Sequence, residues 1–282
     1  MPVDFTSPEA ARRYDAVVAA ASRTVVGLDM DGTLSPIVDD PEVAHIHPEA
    51  GDVLIELSES VRAIAIITGR PARQALALGG LDEVGAAIGA AGRELYVFGQ
   101  YGHERWSSTS RRVISPRPPA GLARLLAELP RLLREAGAAD AYVEEKGLGV
   151  AVHTRRMADP EAAQRRLVRP LTEAATAHGL LTEPGRNVVE IRAAGVDKGV
   201  AVRTLAAELD AGGFVFAGDD LGDVEAFAAG RELGMEGRPT LLVCSLSDEQ
   251  SALKDQSDVL VPGPDGVLAF LRQLAADARA GS

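Results

Sequence analysis

The sequence predicts an α/β fold in which a doubly wound, mostly parallel sheet is interrupted by an inserted α+β segment. Three observations carry this expectation. Short apolar runs recur at residues 25–28, 61–67, 213–217 and 240–244, continuous rather than alternating, as expected of parallel strands covered on both faces. Helical stretches separate them, punctuated by proline and glycine. Between about 107 and 119 this alternation gives way to a Ser, Thr, Arg and Pro rich stretch, after which the order becomes helix, two strands, helix, two strands. The chain is therefore divided into a core over 1–106 and 193–282 and a cap over 107–192.

Taken in order, Ser7-Pro8-Glu9 supplies a cap, a first-turn proline and an early acid for a helix reaching about residue 21. The strand at 25–28 delivers Asp29, with Met30-Asp31-Gly32-Thr33 behind it. Residues 35–47 read as a loop, and its His45 and His47 lack the further nearby ligands that a zinc site needs. A helix over 48–57 and a strand over 61–67 lead to Thr68-Gly69-Arg70-Pro71, where a hydroxyl and freed backbone amides precede a helix and would cradle phosphate oxygens. Helical segments at 73–78 and 82–91 precede a strand at 94–99.

In the insert, Leu122, Leu125, Leu126, Leu129, Leu132 and Leu133 mark one apolar face of a helix over 121–136, which Pro130 is expected to bend or break. Strands follow at 141–144 and 148–153, then a helix over 159–177 with an interruption expected at Pro170, then strands at 180–183 and 187–191. The core pattern resumes with Gly195-Val196-Asp197-Lys198-Gly199 opening a helix that runs to Leu209 and a strand over 213–217 ending in Gly218-Asp219-Asp220-Leu221-Gly222-Asp223. Strands at 240–244 and 258–261 and a helix over 265–276 complete it.

Composition narrows the function. The chain has 282 residues, 46% hydrophobic and only 4% aromatic, so its core is built from Ala, Val, Leu and Ile. A formal charge of −12 argues against a nucleic-acid surface, which needs clustered Lys and Arg. The one cysteine, Cys244, lies in an apolar run and is expected to be a buried strand residue in a reducing compartment. No stretch approaches the length of a membrane span and no basic segment leads into an apolar one, so a cytoplasmic protein free of membrane is expected.

Asp29 and Asp31 point to the same side if the strand continues, and two converging carboxylates stay ionised only beside a cation or a shared proton. A hard, oxygen-preferring metal such as Mg2+ fits, and it would let one carboxylate attack phosphorus while the other exchanges a proton with the leaving alcohol. Lysine is scarce, which makes Lys198 at a helix N-terminus informative: its ammonium is poorly placed for the helix dipole but suited to a phosphate or to Asp29. Asp219, Asp220 and Asp223 follow a buried strand as Asp29 does, so a parallel sheet brings both acid clusters to one edge. Asp219 is read as a further metal ligand, with Asp220 and Asp223 orienting waters or Lys198.

The order Asp-x-Asp-Gly-Thr, Thr-Gly-Arg, Lys, Gly-Asp-Asp resembles the haloacid dehalogenase superfamily of phosphatases. With Tyr101-Gly102-His103-Glu104, Glu144-x-Lys146 and Val189-Glu190-Ile191-Arg192 leading to Gly-Val-Asp-Lys-Gly, it is similar to the trehalose-6-phosphate phosphatase family. The resemblance implies hydrolysis of trehalose 6-phosphate to trehalose and phosphate. It implies that Asp29 is the nucleophile, that Asp31 protonates the leaving oxygen and then activates water, and that Thr68 and Lys198 bind the phosphoryl group. It places Mg2+ among Asp29, the backbone carbonyl of Asp31 and Asp219, and gives Gly69, Arg70, Glu144, Lys146 and Glu190 to the substrate.

The partner expected is a small-molecule sugar phosphate, bound by a monomer. Gly222 stands where the family usually has threonine, Asp197 where asparagine is common, and the stretch between Arg70 and Tyr96 is longer than usual. The alternatives are a phosphatase for a sucrose phosphate or a glycosyl-phosphoglycerate, a phosphosugar mutase, and an inactive binding protein on the same fold.

Overall fold

A computed structural model describes residues 4–38, 40–185, 187–193, 195, 197–246 and 253–281. Met1-Pro2-Val3 and the Val196 of Gly-Val-Asp-Lys-Gly lie outside them. The chain divides into two compact units, one formed by Met1–Ile114 with Asp197–Ser282 and the other by Ser115–Val196.

The first unit starts with β1 (Asp4–Phe5), α1 (Pro8–Ala19), β2 (Thr24–Leu28), α2 (Ala50–Ser58) and β3 (Ala63–Ile67). It continues with α3 (Ala72–Gly79), α4 (Leu81–Ala90), β4 (Leu95–Gly99) and β5 (Glu104–Ser107). The second unit contributes α5 (Leu122–Glu135), β6 (Tyr142–Glu145), β7 (Gly149–His153), α6 (Pro160–Ala177), β8 (Leu180–Gly185) and β9 (Val188–Ala193). The first then resumes with α7 (Lys198–Glu208), β10 (Gly213–Gly218), α8 (Val224–Met235), β11 (Thr240–Leu246), β12 (Val259–Pro262) and α9 (Gly263–Ala280).

The core sheet runs β1-β12-β11-β10-β2-β3-β4-β5. Its six central strands are parallel, as the continuous apolar runs predict, and every residue of β2, β3, β4 and β10 is buried. Period-two alternation divides them between two layers. Val26, Leu28, Ile64 and Ile66 pack with residues of α1, α2, α3, α4 and α9, while Val25, Ala65, Ile67 and Phe216 pack with α7 and α8. Because β2 lies between β10 and β3, Asp29, Thr68 and Gly218-Asp219 all leave the sheet at its carboxyl edge, beside the point where strand order reverses and open α/β sheets carry their ligands.

Both edge strands are antiparallel and neither is visible in the sequence. β1 is only two residues long and pairs with β12, Asp4 opposite Leu260. β5 pairs with β4, and Arg105 bridges Ile114, which keeps part of the expected linker on the core sheet. Neither internal proline breaks its helix: α5 runs through Pro130 and α6 through Pro170. Pro130 sits on the exposed side, where losing one backbone hydrogen bond is compensated by the leucine face packed beneath.

In the second unit an antiparallel sheet β6-β7-β9-β8 turns Val150, Val152, Val189 and Ile191 onto the leucines of α5 and Leu167 and Leu171 of α6. Its other face carries Glu144, Ala151, Glu190 and Glu183 in one row across the four strands.

Candidate active site

The strand β2 ends by passing its last backbone bond to Asp29, whose N–H donates to the Ala217 carbonyl of β10 at 2.9 Å. Met30 turns into the core and is fully buried, so Asp29 and Asp31 leave on the same side. The chain then reverses through Gly32, at φ 74°, in the left-handed region that glycine enters without strain. A Cβ there would sit 2.1 Å from the Asp219 carboxylate, so this glycine also makes room for an acid from a different strand. Ser245 Oγ, at the end of β11, donates to the Gly32 carbonyl at 2.6 Å and fixes the turn.

Asp29 and Lys198 are 4% and 3% exposed, and Asp223 is fully buried. The Lys198 ammonium donates to Asp29 Oδ1 at 2.6 Å and to Asp223 Oδ1 at 2.7 Å. The other Asp223 oxygen accepts the N–H groups of Asp219 at 3.0 Å and Asp220 at 3.4 Å, while Asp220 accepts the N–H of Gly222 at 2.8 Å. Asp223 therefore both shapes the loop after β10 and aims the lysine. Asp220 closes the turn with a capping box, and Gly222 serves that turn through its backbone alone. Lys198 opens α7 in the place predicted, with Asp197 as the helix cap accepting from Val200 N–H at 3.0 Å.

Ligand atoms of Asp29, Asp219 and Asp223 lie within 4.8 Å of one another. With all three ionised, these buried carboxylates facing one buried ammonium would leave two negative charges uncompensated, which is costly in a low-dielectric site. Burial, reinforced by Asp223, holds the Asp29 carboxyl well above the usual carboxylate range, with Lys198 opposing but not cancelling the effect. Burial, then the charge of Asp29, pushes Asp219 up to about 10. Asp223 is also raised, by burial above all. Burial pulls Lys198 downward, but Asp223, Asp29 and Asp220 outweigh it and keep the ammonium charged.

Asp219 Oδ1 is buried with no hydrogen-bond partner among the described residues. An orphaned carboxylate oxygen, two excess negative charges and an all-oxygen donor set fit a hard divalent cation.

Thr68 follows β3 and is 1% exposed, its Oγ1 accepting from Arg70 N–H at 3.1 Å. The loop after β4 is tied to this turn by Gln100 N–H to the Arg70 carbonyl and Tyr101 N–H to the Thr68 carbonyl. Gln100 and Tyr101 both take positive φ, and a Cβ on Gly69 would lie 2.8 Å from the Tyr101 ring. The sequence marks this segment only as part of a motif. That the ring packs on Gly69 needs the tertiary structure.

Arg70, read from the sequence as a substrate contact, forks onto Asp31 in the structure. Its Nε donates to Oδ2 at 2.7 Å and its Nη2 to Oδ1 at 2.6 Å, while Nη1 donates to the Pro41 carbonyl at 2.7 Å. His45 and His47 are loop anchors, the first to the Leu78 carbonyl and the second to Asp265.

In the second unit the polar face of the sheet holds three acid–base side-chain pairs. Lys146 reaches Glu190 at 3.0 Å, His153 reaches Glu144 at 2.9 Å, and Arg192 reaches Glu183 at 2.5 Å. Glu144, Lys146 and Glu190, which the resemblance assigns to the substrate, thus lie on one face of this sheet. His153, Glu183 and Arg192 join them through strand register, which the sequence does not display.

A family model described as Trehalose-phosphatase matches residues 27–110 and 132–262. A trehalose-phosphate phosphatase of Mycolicibacterium paratuberculosis is 31% identical over 79% of this chain and 55% of its own. An uncharacterised glycosyl hydrolase of Mycobacterium tuberculosis is 31% identical over 96% of this chain, which covers 20% of that protein. The chain thus spans about half or less of these relatives. Among solved structures, the C-terminal domain of the Candida albicans trehalose-6-phosphate phosphatase superposes with a TM-score of 0.75 at 18% identity, covering 98% of this chain and 99% of that one.

Proposed function

Because this chain belongs to the trehalose-phosphatase family, we propose that it hydrolyses trehalose 6-phosphate to trehalose and inorganic phosphate through a phosphoryl group carried on Asp29. The observation that carries this reading is the buried cluster of Asp29, Lys198, Asp219 and Asp223 at the carboxyl edge of β2 and β10. Asp29 is a desolvated carboxylate oriented by a fixed ammonium, which suits a nucleophile. In the first half, an Asp29 oxygen bonds to phosphorus as the sugar oxygen departs, taking a proton from Asp31. In the second, water attacks the phosphorus, returns a proton to Asp31 and frees phosphate and Asp29.

Lys198 and Thr68, with the backbone of Gly69, hold the phosphoryl oxygens, and Asp220 and Asp223 keep the loop and lysine in register. Asp29, the Asp31 carbonyl and Asp219 would hold Mg2+, whose chemistry is to neutralise charge on the phosphoryl oxygens. Glu144, Lys146 and Glu190 hold sugar hydroxyls, exchanging the Lys146–Glu190 and Glu144–His153 contacts for hydrogen bonds to the substrate.

The test is phosphate release from trehalose 6-phosphate, sucrose 6-phosphate and glucose 6-phosphate, with Mg2+ and with chelator. Selective, Mg2+-dependent release from the first is expected. Release from another sugar phosphate would keep the chemistry and overturn the substrate. Isomerisation without free phosphate would make the protein a mutase.

A further inference from the structure

We propose that Arg70 is the positioning residue for the proton-transferring carboxylate Asp31, and that it does not contact the phosphoryl group; this rests on the hydrolytic reading above. Three of its five N–H donors are used on protein groups, and each nitrogen is engaged: two nitrogens fork onto the two oxygens of Asp31 and the third holds the Pro41 carbonyl. Arg70 is buried, its side chain 10% exposed, whereas that of Asp31 is 41% exposed. The buried partner therefore fixes the exposed one.

A fork onto both oxygens sets the plane of the carboxylate as well as its place, which a lysine cannot do. Each oxygen has a second lone pair outside the fork, so Asp31 can give and receive a proton without leaving Arg70. The Pro41 bond ties the same guanidinium to the loop after the Asp31 turn, in the short helical turn Pro41–Val43. The Arg70 N–H is meanwhile used on Thr68 Oγ1, so one residue sets the acid and the hydroxyl on its two sides.

The consequence is selective. An alkoxide leaving from a sugar phosphate needs the proton that Asp31 delivers, whereas a nitrophenolate leaves without help. The ratio kcat/KM covers only the steps through departure of the leaving group, so it reports this requirement. Arg70→Met is expected to lower kcat/KM for trehalose 6-phosphate by about 100-fold and for p-nitrophenyl phosphate by only a few fold. The ratio of the two, measured on one preparation, does not depend on what fraction is folded. Arg70→Lys keeps the buried charge and should shift that ratio in the same direction by a smaller factor.

Adding Arg70→Met to Asp31→Asn should cost trehalose 6-phosphate little more than Asp31→Asn alone, because both changes remove one function. Equal losses on the two substrates, or losses that multiply in the double variant, would overturn the proposal and return Arg70 to the phosphoryl group. Should wild type release phosphate from some other sugar phosphate, the same comparison is made with that substrate; failure of the functional reading is thereby separate from failure of this one.

Discussion

The carboxyl edge of the core sheet and the polar face of the smaller sheet both collect acids and bases, under opposite conditions. At the core edge Asp29, Lys198, Asp219 and Asp223 are at most 5% exposed and carry more acid than base. On the smaller sheet Lys146 and Glu190 keep 15% and 14% of their side-chain surface, His153 and Glu144 24% and 22%, and Glu144, Glu183 and Glu190 each have a basic partner. Buried and unbalanced groups have one arrangement and form a donor set that fits a divalent cation. Partly exposed, paired groups can trade a partner for a hydroxyl at lower cost. The first suits chemistry on phosphorus and the second suits recognition of a polyol.

The largest expected effect separates the two regions outright. Asp29→Asn should lower phosphate release by roughly 10⁴-fold or more, since it removes the proposed nucleophile. It should not lower the melting temperature, because it relieves the acid excess. Lys198→Met does the reverse to the charge balance, leaving Asp29 and Asp223 buried without their cation. A loss of about 3–5 kcal/mol in denaturant unfolding is expected, together with loss of activity. Lys146→Ala should leave stability nearly unchanged and weaken turnover of trehalose 6-phosphate about tenfold more than that of an aryl phosphate. Equal losses on both substrates would remove the smaller sheet from specificity.

The raised carboxylates predict a pH dependence for metal-free protein. Asp29, Asp219 and Asp223 bind protons more tightly folded than unfolded, so their contribution is greatest below the ordinary carboxylate range. It is lost as pH rises from there towards the value of about 10 reached by Asp219. A divalent cation replaces those protons. The rise in melting temperature on adding Mg2+ should therefore be larger at pH 8 than at pH 6, and a rise independent of pH would contradict the charge argument. The smallest effect is expected at Asp197, where Asp197→Ala removes one helix cap and should cost about 1 kcal/mol.

The same contrast governs what the sequence reveals. Asp29, Thr68, Lys198 and Asp219 are legible because each ends a buried strand or opens a helix, and parallel topology then brings the strand ends together. What depends on distant partners is not. Ser245 meets Gly32 across 213 residues, and Arg70 meets Asp31 across 39, an ion pair that the motif alone does not display. Strand β1 escapes notice because two residues carry no periodicity, and its neighbour Thr6 bonds to the backbone of Ser257 and Asp258. The prolines of α5 and α6 mislead because tertiary packing of a leucine face outweighs one missing hydrogen bond.

The central claim is that Asp29 carries the phosphoryl group. Its most direct test is rapid acid quench of the protein with trehalose 6-phosphate and Mg2+, followed by peptide mapping by mass spectrometry. The account predicts one phosphoryl group, on Asp29, appearing within the first turnover and decaying as phosphate is released. Phosphate release with Asp29 unmodified throughout that turnover, or a phosphoryl group on any other residue, would contradict it.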